Sequence, residues 1–368
     1  MRILTVNAGS TSVKLERYDL EAPLPELAGP PAPDWAAATA AEIAEEALGD
    51  ALRAGADVVA HRFVRLPDEA PAVLRLDADA VQAIARVGAE APLHDALALR
   101  AVTLVRRLQP AMVQVAVADG AFHRTMCAAA TTYAIPRELT RRGLRRRGYH
   151  GLSHEYAAHR ACALAGVDVA RSRVVTAHLG GGSSLCAIDG GASIDTTMGY
   201  TPLDGLPMAT RSGSVDPGLM LHLLREGTTP EELGEILERR SGLLGISGRT
   251  GDVRTLLAAG DDPDARLALD VLAWRLRAAI GAMIGVLGGI DLLVFTGGIG
   301  EHAAEVRAAG VLGATAAGAE LDAKRNSATT TDGRISTDAS RIGMFVVTAR
   351  EGWQLACHGY RALEDPTS

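Results

Sequence analysis

The sequence predicts an α/β fold in which one strand–turn–strand unit occurs twice. Apolar runs of strand length alternate with helical stretches along the whole chain. Short Gly/Ser turns between two strands recur at matching places in the two halves, at Gly9-Ser10 and at Gly182-Ser183. A further strand, starting at Leu292, runs into a third glycine turn, TGGIGEH.

In chain order, residues 2–6 read as a buried strand, NAGSTS as a turn and residues 13–18 as the returning strand. Residues 23–35 are rich in Pro and Ala and read as a surface connection. Residues 36–53 carry alanine-rich helical periodicity. Strands follow at 58–63 and 113–118, and helices at 78–90 and 97–108. The second half opens like the first, with a strand at 173–177, the turn HLGGGSS and a strand at 185–188. After the strand at 292–295 and its glycine turn, residues 303–309 read as helix. At roughly 150 residues per domain, the length fits two domains. Duplicated units of this kind facing each other across a cleft describe the actin, hexokinase and sugar-kinase architecture, where hairpin turns hold nucleotide phosphates.

Composition narrows the function. Hydrophobic residues make up 48% and charged residues 22% of the 368, a globular mix rather than a disordered one. Lys and Arg number 37 against 44 Asp and Glu, a net charge of −7 that disfavours a general nucleic-acid binder. All the cations but Lys14 and Lys324 are arginine, a bias that follows from a GC-rich genome. The 40 glycines show no collagen period and predict loops that pass close to a ligand, often a phosphate. Cys127, Cys162, Cys186 and Cys357 form no CxxC pair, so reduced thiols in the cytoplasm are expected rather than disulfides or zinc. MRILTVNAGS is not a secretory signal, and the longest uncharged apolar run, 278–290, is too short to span a bilayer.

Several segments carry chemistry. NAGSTSVK gives a tight turn, hydroxyls and Lys14, suited to phosphate oxygens, although an ordinary hairpin has the same letters. It lacks the GxxxxGK[ST] spacing of a Walker loop. HLGGGSS sets three glycines beside His178. YHGLSHEYAAH holds three histidines, but Ala158 stands where a zinc-binding HExxH needs its second ligand. His150 is the histidine placed to donate to a phosphoryl oxygen. Arg62 in HRF and Arg211 in TRSGSVDP suit a carboxylate and a transferring phosphoryl group, which need planar bidentate donors. For any single arginine among the 35, a surface ion pair is the more common reading. RRGLRRRG reads as a solvated charged loop, and GLLGISGRTGDVR as a glycine-rich connection.

Together these segments closely resemble the acetate and propionate kinase family, through NAGSTSVK, HRFV, APLH, DGAFHRTM, YAIP, YHGLSH, HLGGGSS, MGYTPLDGLPMATRSG, SGLLGISG, DVR and VFTGGIGEH. The resemblance runs from Met1 to about Glu351. It implies two actin-like (ribonuclease H-like) ATPase domains, at 1–119 plus 352–368 and at 120–351, in a cytoplasmic homodimer. It implies reversible, Mg²⁺-dependent in-line phosphoryl transfer from ATP to acetate, giving acetyl phosphate and ADP, with Mn²⁺ as a stand-in for Mg²⁺. No nucleic-acid or membrane partner is implied. Asn7 and Glu351 match positions that serve the metal. Asp119, His150 and Arg211 match catalytic positions, and Arg62 matches the binder of the substrate carboxylate. Val64, Leu93, Tyr149 and Pro202 match the acyl pocket. Lys14, His178, Leu179, Gly180, Gly181 and Gly182 match nucleotide contacts. So do Asp252, Val253 and Arg254, and Gly298, Ile299, Gly300, Glu301 and His302.

The chain also departs from the family pattern. HRVVHGG reads HRFVRLP here, HLGNGSS has Gly181 for Asn, TRSGD ends in Ser214, and GIGEN ends in His302. Paired acids near the C-terminus are reduced to Glu351-Gly352, and Tyr149 replaces Phe, adding a hydroxyl to the acyl pocket. These changes open two alternatives: a kinase for another short-chain or hydroxylated acid such as propionate, or a nucleotide-binding sensor without catalysis. A third, an ATPase or phosphatase, would use water in place of the acid.

Overall fold

The computed structural model describes residues 1–8, 12–21, 30–40, 45–88 and 92–364, without the side chains of residues 12, 40, 88 and 92–94. The chain divides into two compact units, Met1–Ala121 with Arg350–Ser368, and Phe122–Ala349.

The first unit is built on a six-stranded sheet. Its strands are β1 (Arg2–Ala8), β2 (Ser12–Asp19), β3 (Trp35–Ala40), β4 (Val58–Phe63), β5 (Val73–Arg75) and β6 (Val113–Ala118). They lie in the order β3-β2-β1-β4-β6-β5. β1, β2 and β3 pair antiparallel, β1, β4 and β6 run parallel, and β5 closes the edge antiparallel to β6. β1 and β4 are almost continuously buried, as strands covered on both faces must be. Leu4, Val6, Val59 and Phe63 meet Ile84 of the helix Ala78–Gly88 and Val102 and Val105 of the helix Pro92–Leu108 in one core. The helix Glu351–Glu364 packs on the same sheet and buries Trp353, Leu355 and Tyr360.

The second unit repeats this plan. Its strands are β7 (Arg173–Leu179), β8 (Ser183–Asp189), β9 (Ala192–Thr196), β10 (Leu292–Thr296), β11 (Gly333–Arg334) and β12 (Gly343–Val346), in the order β11-β12-β10-β7-β8-β9. From the other edge this is again a three-stranded antiparallel meander, two further parallel strands and a short antiparallel edge. The fold is therefore α/β with a duplicated sheet. The long helix Pro263–Leu287 turns Leu272, Leu276, Ile280, Met283 and Leu287 toward the core, the three- and four-residue spacing of one helical face. Among the described residues no helix is long and apolar enough to cross a membrane.

Two expectations change. Residues 36–53 are not one helix: Trp35–Ala40 is β3, antiparallel to β2, and the helix is Glu45–Arg53. Alanine favours helix locally, but exposure alternates along β3 with the period of two that a strand partner imposes. Glu351 was expected in the second domain; its helix packs on β1 of the first, and the unit boundaries fall after Ala121 and before Arg350. Part of the 23–35 connection, residues 23–29, lies outside the described residues.

Candidate active site

In the first unit three parallel strands end side by side. Asn7 is next to last in β1, Arg62 is next to last in β4, and Asp119 follows β6 directly. Val6 pairs with His61 and Arg62 with Val117, so the three polar side chains come from neighbouring strand ends. That is where open α/β sheets bind ligands. Arg62 donates to Asp119 Oδ2 (2.7 Å) and to Asn7 Oδ1 (3.1 Å), and Asn7 Nδ2 donates to Glu351 Oε2 (2.7 Å). Burial works against the Arg62 charge, but Asp119 and Glu351 (3.9 Å away) outweigh it and hold the guanidinium more firmly protonated than usual. Arg62 Nε is buried and has no hydrogen-bond partner among the described residues.

Asp95 shapes the loop after Arg62. Its buried carboxylate accepts the backbone N–H groups of Val64 (2.8 Å) and Arg65 (3.2 Å). Burial raises its pKa to about 6 in spite of those bonds and of Arg62 and Arg65. Asp95 thus anchors the backbone of the HRFVRLP segment just before Leu66 and Pro67. Behind Arg62, His61 is fully buried and shares a hydrogen bond with Gln114 Oε1 (2.8 Å). Gln114 Nε2 donates to Val102 O (3.4 Å), which orients the amide so that His61 Nε2 is the donor.

Lys14 is exposed on β2 opposite Asn7, and the turn at residues 9–11 lies outside the described residues. At Gly352 a Cβ would overlap Glu16 Oε2, which accepts from Tyr18 Oη at 3.2 Å. The family's second C-terminal acid is absent at 352, and the Glu16 carboxylate fills its space from β2.

For a divalent cation this unit offers the Asn7 amide oxygen and the Glu351 carboxylate. Both are hard oxygen donors, and among the described residues no group of three or more His, Cys, Asp or Glu side chains forms a protein cage. That donor set fits Mg²⁺, which takes one or two protein carboxylates and completes its shell with water and substrate phosphates.

In the second unit His150, Gly182 and Arg211 converge. His150 has φ 58°, the one non-glycine residue of positive φ among those described, and caps the helix Gly151–Ala165. Its ring stacks on His178 with centroids 4.4 Å apart. A Cβ on Gly182 would lie 3.1 Å from His150 Nε2 and 3.5 Å from an Arg211 terminal nitrogen. Close approach, not backbone conformation, is what calls for glycine there. Burial lowers the Arg211 pKa, with Glu238 opposing. The Arg211 loop closes through Met208 N–H to Arg211 O (3.0 Å). Gly242, with φ +61°, lies so close that a Cβ would strike Met208 O, and one on Gly251 would strike Ala209 O. The glycine-rich connection is thus the bed of the Arg211 loop. Ser214 donates to Asp204 Oδ1 (2.6 Å), tying the far end of the same loop.

β7 and β10 set two expected nucleotide segments side by side, with Thr296 opposite His178 and Gly297 against Leu179 O. The β7–β8 turn closes with Gly180 N–H to Gly182 O (3.0 Å), and a Cβ on Gly181 would meet nothing within 4 Å. TGGIGEH forms a short helix, Gly297–His302, rather than an open turn. Gly298 and His302 are exposed, Gly300 is buried, and Ile299 packs on the core. Glu301 turns inward and accepts from Ala349 N (3.0 Å). Arg307, fully buried, donates to the Gly300 (2.9 Å) and Glu301 (2.7 Å) carbonyls and fixes this helix from below. Asp252 caps the helix Val253–Ala258, its pKa lowered to about 2 chiefly by the Arg254 side chain, while Val253 enters the core.

The expected acyl-pocket residues divide between the units. Val64 is partly buried in the first, and the Leu93 side chain lies outside the described residues. Tyr149 is buried and Pro202 partly buried in the second. The Tyr149 hydroxyl donates to Tyr200 O (2.6 Å). Sequence reasoning missed Glu16, Asp95, Gln114, Ser184 and Arg307. Only His154, four residues after His150 on one helix, left a signal in spacing.

The model of the Acetokinase family matches residues 31–357. An acetate kinase from Gloeobacter violaceus is 39% identical over an alignment 398 positions long, covering 97% of this chain and 98% of that one. A crystal structure of Porphyromonas gingivalis acetate kinase superposes with a TM-score of 0.85 at 30% identity, over 98% of this chain and 99% of that one. A propionate kinase from Francisella tularensis gives 0.84 at 31% identity, over 96% and 98%.

Proposed function

Because the chain belongs to the acetokinase family, we propose that it is an ATP-dependent kinase of short-chain carboxylic acids, with acetate as its first substrate, acting reversibly in the cytoplasm. One observation carries the reading: a buried guanidinium at the carboxyl ends of the parallel strands, beside Asn7, Asp119 and Glu351, keeps its Nε donor unbonded. A substrate carboxylate is the group that such a donor takes.

With a pKa near 4, like a carboxyl side chain, the acid is already ionised at neutral pH and needs no general base. Asp119 therefore orients Arg62 rather than removing a proton. Arg62 binds and aims the carboxylate, and Asn7 and Glu351 supply oxygens to the cation. Mg²⁺ bound with the nucleotide would offset phosphate charge. The two duplicated units act as paired actin-like domains, with the nucleotide held by the segments around His178–Gly182, Asp252–Arg254 and Gly298–His302. His150 and Arg211 donate to the phosphoryl oxygens as charge shifts in an in-line displacement.

A homodimer accounts for the helix Pro217–Arg225, which buries none of its residues and exposes Leu219, Leu221 and Leu224, and for Trp274, 69% exposed. The test is ADP formation from Mg-ATP across two- to five-carbon acids, with hydroxylamine trapping acyl phosphate. Hydroxamate from acetate or propionate is expected. ATP binding without acid-dependent turnover would leave the sensor, and turnover indifferent to added acid would leave the ATPase.

A further inference from the structure

Four side chains of the second unit form a continuous chain ending at His150. His150 and His154 stand one turn apart on the helix Gly151–Ala165, and Thr176 and Ser184 lie on β7 and β8. Thr176 Oγ1 lies 2.7 Å from His154 Nδ1, His154 Nε2 lies 2.8 Å from Ser184 Oγ, and Ser184 Oγ lies 2.8 Å from His150 Nδ1. Thr176, His154 and Ser184 are fully buried.

A hydroxyl carries one proton, and a neutral imidazole carries one N–H and one bare nitrogen. A hydroxyl can also accept twice, but a doubly accepting Ser184 would bury its own proton unpaired, so the chain runs wholly in one direction or wholly in the other. Thr176 decides which. Its hydroxyl makes a single hydrogen bond among the described residues, the one to His154. If it accepted there, its own proton would be buried without a partner, at a cost of about 1–3 kcal/mol. If it donates, only a lone pair goes unused. The same choice then passes along the chain: His154 donates from Nε2 to Ser184, Ser184 donates to His150 Nδ1, and the His150 proton sits on Nε2. That nitrogen points to Gly182 and the Arg211 guanidinium.

We propose that Thr176, His154 and Ser184 are positioning residues that fix His150 as the neutral Nε2–H tautomer, presenting an N–H donor toward the Gly182 turn before any substrate arrives. A donor set in advance needs no reorganisation when charge develops on the phosphoryl group. That use of the N–H rests on the kinase reading; the tautomer does not.

The experiment is a long-range ¹H–¹⁵N correlation spectrum of the histidine-labelled full chain, ligand-free and at a pH where the imidazoles are neutral, with His150 assigned by its loss in His150→Gln. In the wild type, Nε2 of both His150 and His154 is expected as the protonated, pyrrole-type nitrogen. Protonated Nδ1 on His150 overturns the proposal. Thr176→Val should shift both rings toward mixed tautomers and lower kcat about tenfold or more, short of the ~10²–10³ lost when a donor is deleted outright, with little change in KM. Thr176→Ser, which keeps the hydroxyl, should restore both. A Thr176→Val protein that loses stability while its ring signals stay in place also overturns the proposal. The predicted tautomers in a protein without acid-dependent turnover would leave the chain standing and sink the kinase reading instead.

Discussion

Asp119 Oδ2 lies 2.7 Å from a terminal nitrogen of Arg62, with the carboxylate side chain fully buried and the guanidinium 10% exposed. Removing one partner of such a pair leaves an uncompensated charge in the interior and costs about 3–5 kcal/mol. Arg62→Ala should therefore lower the free energy of unfolding in urea by that much and raise KM for the acid. An Arg62→Ala protein as stable as wild type would show that the pair carries no such charge burden.

Arg211 differs because it makes no salt bridge among the described residues. Arg211→Ala should lower turnover by at least about 10³, the lower bound for a cation that stabilises transferring phosphoryl. Its unfolding midpoint should stay close to that of the wild type. Near-normal turnover in the folded variant removes Arg211 from the chemistry.

Gly182→Ala tests the convergence on His150 directly. The new methyl would stand 3.1 Å from His150 Nε2, tight enough to displace the ring, while the backbone there needs no left-handed conformation. Turnover should fall about tenfold or more, within the range set by the loss of one donor. The circular dichroism spectrum and unfolding midpoint should be unchanged. Full activity in this variant would mean that the imidazole and the turn do not work as a unit.

His61 sets the acid limit of the fold. Burial lowers its pKa from 6.5 to about 4, with Gln114 opposing weakly. The neutral form is native, so the stability tied to it is fully present above pH 6.5 and drains away as pH falls toward 4. The loss by pH 4 amounts to about 3 kcal/mol. Denaturant unfolding between pH 7 and 4 should show this slope, and His61→Gln should flatten it. An equal slope in the variant would assign the acid sensitivity to other groups.

The sheet strands that carry the site were legible because both faces of each are covered, and continuous apolar runs announce that. β3 was not, since alanine's helical preference is overridden only by pairing with β2. Charged members of the site could be matched by motif. Asp95, Glu16 and Arg307 could not, because each acts by reaching backbone or empty space supplied by distant sequence. The glycine-rich stretch 242–254 had no meaning in isolation and acquired one only when the Arg211 loop lay against it. The partner of the Tyr149 hydroxyl, Tyr200 O, could not be read from the motif either, because it is a backbone atom 51 residues away.

Asn7 and Glu351 meet although 344 positions of chain separate them. At roughly 5–20 residues per second, a ribosome finishes the first partner tens of seconds before it makes the second. Phe122–Ala349 is uninterrupted, but its core strand β12 is made only a few residues before Glu351. The amino-terminal sheet waits as well, because Gly359 of the last helix must still seat against Ile3, Ala60 and Val115. Neither core is complete until the end of the chain has been made, and the strands born first wait longest for their cover.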